Sequence, residues 1–317
     1  MDIAVTGSSG LVGSALVPAL TAAGHRVVKV VRHQPPGDGN LFWDPAAGKV
    51  DAGGFEGLDG VVHLAGVGVG EKPWTKKQKA AIRDSRIQGT TLLAETLAHL
   101  QKPPRVLLSA SAVGIYGDPG DAVVTESAEP GTGFLAGLCR EWEAATGPAE
   151  AAGIRVTHLR SGMVLAQQGG ALKKMLRPFK VGLGGRLGRG RQWMSWVNLA
   201  DEVGAIVHLL GDGAPAGPVN VTAPNPVTNA VFTAVLGRIL RRPTLFPIPA
   251  FAVRVGLGKE MADEMILVSQ RVVPERLLSS GYAFQAEKIT TALEQVLGKP
   301  YRPVTRKGAH TDSDAAP

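Results

Sequence analysis

Three glycines at fixed spacing, in Thr6-Gly7-Ser8-Ser9-Gly10-Leu11-Val12-Gly13, are the residues best suited to hold a ligand. Only glycine lets a backbone approach a pyrophosphate closely, and a helix starting just after offers that anion unpaired N–H groups and a positive dipole end. Eight residues with this pattern predict a dinucleotide seat. The second chemical cue lies at Val31-Arg32-His33. An acidic side chain there would accept from the adenosine ribose and repel a 2′-phosphate, whereas Arg32 offers a guanidinium for bidentate phosphate contact, so NADP(H) is the expected cofactor. Cys139, the sole cysteine, reads as a packed side chain, and no spacing of His, Cys, Asp or Glu suggests a metal.

The elements that must position these groups follow from periodicity. Asp2-Ile3-Ala4-Val5-Thr6 reads as a strand, the glycine turn leads into an apolar-periodic helix to Leu20, and Arg26 to Val31 is a second β-branched strand. That is a βαβ unit with a parallel crossover. Further strands are expected at Gly60–Ala65, Arg105–Ser109 and Ile154–Leu159, each separated from the last by a helical pattern, with a late strand at Pro218–Val221. A helix should run from an Asn198 cap to Leu210. The fold class is therefore α/β, a doubly wound parallel sheet of Rossmann type with a smaller, mostly helical C-terminal lobe. We expect residues 1–168, completed by about 192–226, to bind the nucleotide; 169–191 and 227–298 to form the substrate-side lobe; and 299–317 to be a disordered tail. Gly182, Gly184, Gly185, Gly188 and Gly190, interleaved with Arg186, Arg189 and Arg191, form a basic loop expected near a ligand.

Composition narrows the function classes. The 317 residues are 44% hydrophobic and 19% charged, as in ordinary globular proteins, and the net charge is +7. The basic residues are scattered, without zinc-ligand spacing or an aromatic-rich basic stripe, so nucleic acid is not an expected partner. No apolar run of ~18 residues is present to cross a bilayer, so no membrane partner is expected. The first residues lack the basic start and apolar stretch of a secretory leader, and one cysteine cannot form an internal disulfide, which points to the cytoplasm.

The TGxxGxxG spacing resembles the short-chain dehydrogenase/reductase superfamily in its extended, epimerase-like branch. Leu64-Ala65-Gly66 looks like that superfamily's Asn-Ala-Gly element, Ser109 to Gly117 like its Ser-Ser-x-x-Val-Tyr-Gly segment, and Arg160-Ser161-Gly162 like its Arg-x-Gly. Finer features are Lys72-Pro73-Trp74-Thr75, Ser85-Arg86, Pro178-Phe179 with Gly182 to Gly185, Trp196-Val197-Asn198, and Pro274-Glu275-Arg276-Leu277. Together they are similar to the small NAD-dependent epimerase/dehydratase-like family carrying a C-terminal domain of unknown function (DUF1731), from about residue 1 to 298. The resemblance implies that Arg32, Leu64, Ala65, Gly66, Arg86 and Arg160 lie by the cofactor.

One part of the superfamily pattern is missing. Its reductases and epimerases use a tyrosine and, four residues later, a lysine that lowers the phenol's pKa. Here the helix reads Gly133-Phe134-Leu135-Ala136-Gly137-Leu138-Cys139, placing Phe134 and Leu138, or Leu135 and Cys139, in those positions. Losing a general acid costs about 10²–10⁴-fold in rate, and by motif position the resemblance implies Ser111, at the end of the fifth strand, and Tyr116, in the loop just beyond, as the candidates to replace it. Two readings follow: an NADP(H)-dependent epimerase-like oxidoreductase acting on an unknown small molecule, or a non-catalytic nucleotide binder acting through a protein partner, as cell-division-inhibitor labels within the resembled family suggest.

Overall fold

The computed structural model describes residues 1–33 and 39–301; the tail expected at 299–317 lies almost wholly outside them. The described residues form fourteen strands: β1 Asp2–Thr6, β2 Arg26–Val31, β3 Leu41–Asp44, β4 Lys49–Val50, β5 Gly60–His63, β6 Val106–Ala112, β7 Val123–Val124, β8 Arg155–Ser161, β9 Met163–Leu165, β10 Trp193–Met194, β11 Trp196–Asn198, β12 Gly217–Val221, β13 Val227–Thr228 and β14 Arg271–Val272. The helices are α1 Leu11–Ala22, α2 Lys76–Ala98, α3 Phe134–Ala144, α4 Gly147–Ala151, α5 Gly170–Lys180, α6 Leu199–Leu210, α7 Asn229–Leu240, α8 Ala250–Leu257, α9 Lys259–Met265, α10 Glu275–Ser279 and α11 Ile289–Leu297.

Eight strands form one sheet in the order β12-β8-β6-β5-β1-β2-β3-β4, parallel except for the terminal β3–β4 pair. Central strands buried on both faces explain the unbroken apolar runs, such as the fully covered Ile3, Ala4 and Val5. One core layer joins α1 and α6 to the sheet through Leu16, Leu20, Ile206 and Leu209. The opposite layer joins α2 through Leu93 and Leu97 with Trp43 and Phe55. The third core, built from Leu172, Phe179, Trp196, Phe232 and Leu293, belongs to the C-terminal side, where α5, α7 and α11 meet. Among the described residues no helix is long and apolar enough to cross a membrane.

One connection differs from the expected pattern. Between β2 and β5 the described residues hold no α-helix; instead β3 extends the sheet edge and two 3-10 turns follow, at Pro45–Ala47 and Ala52–Phe55. Pro45, Gly48, Gly53 and Gly54 interrupt any helix there, and Gly48 closes the first turn in the left-handed region at φ 62°.

The chain leaves β1 toward β2 on one side and returns through β5 on the other. That reversal makes a crevice outside the carboxyl ends of β1 and β5, the place where open α/β sheets bind ligands.

Candidate nucleotide site and adjoining cleft

The glycine turn sits at that crevice, and each glycine has its own steric reason. Gly7 has φ 66°, and a Cβ on it would stand 2.8 Å from the Leu64 carbonyl carbon. A Cβ on Gly13 would come within 2.2 Å of the Gly7 oxygen, so only hydrogen there lets α1 pack against its own turn. Gly10 is the N-cap of α1; it supplies no side-chain cap, and no acidic residue lies in the first turn. The N–H groups of Leu11, Val12 and Gly13 therefore lack a side-chain acceptor beside the exposed Ser9 and Gly10. Such a helix start fits a phosphate.

Thr6 serves the crevice from within. Its buried Oγ1 accepts from the Leu64 N–H at 3.1 Å and the Ala65 N–H at 3.2 Å, tying the end of β1 to the segment after β5. With both lone pairs used, the hydroxyl proton points to His63 Nδ1, 2.8 Å away. His63 Nε2 must then carry the ring proton, which it donates to Thr90 Oγ1 at 3.1 Å, and Trp142 Nε1 donates to the same oxygen at 2.9 Å. Burial first, and the Arg86 charge second, lower the His63 pKa to about 4, so the ring is neutral at physiological pH.

Val31 is half-buried and Arg32 exposed at the carboxyl end of β2. Gly66 is exposed, and behind it lies Arg86: a Cβ on Gly66 would meet the guanidinium at 3.3 Å. Arg86 is itself buried, donates to the Val67 and Ile82 carbonyls at 2.9 and 3.1 Å, and stacks 4.8 Å from the Trp142 ring. Burial pulls its pKa down to about 10, which still leaves it charged.

Ser111, Tyr116 and Arg160 are brought together, but in the interior. Arg160 holds Glu143 with two bonds, Nε to Oε1 at 2.9 Å and Nη2 to Oε2 at 2.8 Å. Its Nη1 donates to the Tyr116 hydroxyl at 2.9 Å, and that hydroxyl donates to Asn220 Oδ1 at 2.7 Å. Ser111 Oγ donates to Glu143 Oε1 at 2.6 Å. All three residues are at least 94% covered. Burial holds the Tyr116 phenol above its ordinary value despite the neighbouring Arg160 charge, whereas Arg160's bonds and charge overcome burial to keep Glu143 below the usual carboxylate range. Glu143 and Asn220 carried no sequence signal, because only the fold brings residues from α3 and β12 to one motif hydroxyl.

The start of α3 adjoins this cluster. Phe134 and Leu135 are half-buried; Leu138 and Cys139 are buried. Burial, and then the Glu143 charge, push the Cys139 thiol up to about 12, so it is no nucleophile. Gly133 offers no side-chain cap; the Glu264 carboxylate, from α9, accepts from the Phe134 and Leu135 N–H groups at 3.0 and 2.8 Å. Lys79 Nζ stands 4.8 Å from the centre of the Phe134 ring and binds Glu260 Oε1 at 2.7 Å. Trp74 meets the same ring edge-on at 4.9 Å. The expected basic loop, 182–191, lies against the C-terminal side, where Gly188 N–H donates to Ile248 O and Ile248 N–H to Arg186 O, each at 2.8 Å.

A doubly wound sheet with a glycine-lined, uncapped helix start at its switch point defines the class of dinucleotide-binding α/β proteins. Within that class, residues 3–222 match the NAD-dependent epimerase/dehydratase family and residues 248–296 match a domain of unknown function, DUF1731. The chain belongs to this epimerase family. It is 45% identical over 298 residues to the epimerase family protein ML0860 of Mycobacterium leprae, covering 94% of this chain and 96% of the relative. Human epimerase family protein SDR39U1, crystallised with NADPH, superposes with a TM-score of 0.86 at 32% identity, covering 94% and 99% of the two chains. A nucleoside-diphosphate sugar epimerase of Corynebacterium glutamicum gives 0.78 at 37% identity, over 94% of this chain and 58% of that one.

Proposed function

We propose that this chain is a cytoplasmic NADP(H)-binding, epimerase-like oxidoreductase whose proton transfer does not follow the tyrosine–lysine route of its superfamily. The observation that carries the reading is the uncapped start of α1 beside Gly7 and Gly13, a cradle that a single Cβ would fill. The backbone from Gly7 to Gly13, with Ser8, Ser9, Leu11 and Val12, would hold the pyrophosphate, and Val31 and Arg32 the adenosine ribose and its 2′-phosphate. Leu64, Ala65 and Gly66 would line the seat, with Thr6 holding the Leu64 and Ala65 N–H groups and Arg86 the Val67 carbonyl from behind. The nicotinamide supplies hydride chemistry when bound. Residues 1–168 with 192–226 form the nucleotide half in this reading, and 169–191 with 227–298 the half facing a small-molecule substrate.

Ser111 and Tyr116 are the motif's proton-exchanging candidates, and here Glu143 and Asn220 accept their protons. Either could act only by exchanging that partner for substrate, with Arg160 positioning Tyr116 rather than the cofactor. Phe134, Leu135, Leu138 and Cys139 offer no alternative acid, which also favours a second reading: a nucleotide-binding protein that acts through a protein partner.

Titration of tryptophan emission with NADPH and NADH tests the proposal. NADPH should bind more tightly, and Arg32→Ala should weaken NADPH by roughly 1.5–3 kcal/mol while leaving NADH nearly unchanged. Equal affinity for the two nucleotides would remove Arg32 from the site. Tyr116→Phe and Ser111→Ala, assayed with NADPH against carbonyl substrates, separate the two readings, since a partner-driven protein has no turnover to lose.

A further inference from the structure

The C-terminal side of the molecule carries an unusual coincidence of charge and apolar exposure. No Asp or Glu occurs between Glu150 and Asp201, nor between Asp212 and Glu260, yet these two stretches hold 14 of the chain's 34 Lys and Arg residues. The fold lays residues 180–187 of the first stretch beside residues 242–248 of the second. Arg242 Nε donates to Lys180 O at 2.8 Å, the Gly185 backbone abuts the Phe246 carbonyl, and Leu187 bridges to Ile248 in parallel register. That register sets Leu183 level with the segment at 244–245. On this ribbon Leu183 is 73% exposed, Leu245 78% and Phe246 79%, with Val181 ahead of them. Helix α8 continues the surface with Phe251 and Val255, four residues apart on one face and 69% and 82% exposed. Arg177, Lys180, Arg186, Arg189 and Arg241, all exposed, lie on or next to these segments, and no carboxylate among the described residues pairs with any of them.

We propose that this face docks on an anionic lipid bilayer, the ribbon and α8 inserting apolar side chains among the acyl chains while the surrounding cations meet lipid phosphates. The contact is peripheral. Clustered large apolar side chains in water mark a docking surface, and cations rimming them select a negatively charged one. A second copy of the chain is a poor occupant, because a two-fold contact would set the exposed cations of the ribbon against themselves. Nucleic acid would satisfy the cations but leave Leu183, Leu245, Val181 and Val255 without bases to stack on.

Co-sedimentation of the full chain with phosphatidylcholine vesicles, and with vesicles of phosphatidylcholine and phosphatidylglycerol in equal parts, tests the proposal. We expect at least about tenfold more protein to pellet with the anionic vesicles, with the difference shrinking as salt is raised. The exposed double variant Leu245→Ser/Phe246→Ser should keep the wild-type melting temperature and NADPH affinity and lose vesicle binding. Arg177→Gln/Lys180→Gln should weaken vesicle binding. Equal pelleting with both vesicles, no pelleting, or anionic pelleting that the apolar variant retains would each overturn the proposal. So would a dimer in sedimentation velocity that the apolar variant abolishes, or tighter binding to duplex DNA than to the anionic vesicles.

Discussion

Helices α1 and α3 both begin at the carboxyl edge of the sheet, and the protein treats the two starts in opposite ways. At α1 the cap is Gly10, the first turn has no acidic residue, and its N–H groups remain available to an outside anion. At α3 the cap is also a glycine, but Glu264 arrives from 130 positions along the chain to accept both leading N–H groups. A third start, at α6, shows a middle course: Asn198 caps it locally, accepting from the Asp201 N–H at 2.6 Å. Glu202 in its first turn is buried, takes a bond from Ser161 at 2.6 Å, and has one oxygen without a partner. A helix N-terminus is thus only an opportunity for a ligand, and what the protein itself places there decides whether the opportunity is kept.

The largest effect should come from closing the open start. Gly10 has ordinary extended dihedrals, and a Cβ there meets only the Gly7 oxygen at 3.2 Å, so Gly10→Val should fold. Its side chain would occupy the anion's approach, and NADPH affinity should fall about a thousandfold, or ~4 kcal/mol, with circular dichroism unchanged. Near-normal binding by the folded variant would reduce the glycine loop to a turn.

At α6 the comparison is sharpened by pH. Burial raises the Glu202 pKa from 4.5 to about 7. Below the unfolded value both states are protonated and the group contributes no pH dependence. Between the two values the unfolded chain has released a proton that the folded protein keeps, so stability falls as pH rises, and the loss is complete above about 7. Glu202→Gln removes that dependence and should stabilise the protein by up to about 3 kcal/mol at pH 8 and very little at pH 4. Denaturant melts of both proteins at the two pH values measure it, and a pH-independent difference would show that folding leaves the Glu202 pKa unshifted.

Opening the closed start is the next smaller change. Glu264→Ala removes a cap, and stability should drop by about 1–2 kcal/mol. Nucleotide affinity should hold, because the proposed seat lies at α1. A loss of NADPH binding comparable to that of Gly10→Val would mean that the two starts act as one site. The smallest expected effect is that of Cys139→Ala: NADPH affinity within about twofold of wild type, and stability lowered by about 1 kcal/mol for a small buried truncation.

Local order in the sequence explains why the α1 start was legible and the α3 start was not. From Asp2 to Val31, strand, turn and helix are consecutive, each glycine has a steric role within its own turn, and hydrophobic periodicity marks the boundaries. The α3 site is assembled from long-range partners. Glu264 reaches Phe134 from α9, and Trp74 and Lys79 reach it from around the start of α2, so its partners come from two distant parts of the chain. The same limit affected the motif residues. Pattern places Ser111 at a strand end and Tyr116 in the loop just beyond, but whether their hydroxyls face substrate or an internal acceptor depends on Glu143 and Asn220. Arg160 illustrates the point from the other side: a cation read as lying by the cofactor is bound by a buried carboxylate. The absence of an α-helix among the described residues between β2 and β5 has a simpler cause, since Pro45, Gly48, Gly53 and Gly54 break the pattern that periodicity alone continues.

The hydrogen-bonded run from Ala65 through Thr6, His63 and Thr90 to Trp142 also gives the molecule an optical readout. Trp142 donates into one end of it, and Trp43 stands edge-on to the His63 ring with centroids 5.6 Å apart. Two of the chain's five indoles are therefore mechanically connected to the rim of the crevice, while a third, Trp74, marks the α3 start. Replacing Trp74 by phenylalanine would remove one local reporter, so that emission recorded during rapid mixing could follow the crevice and the α3 start as separate clocks within one chain.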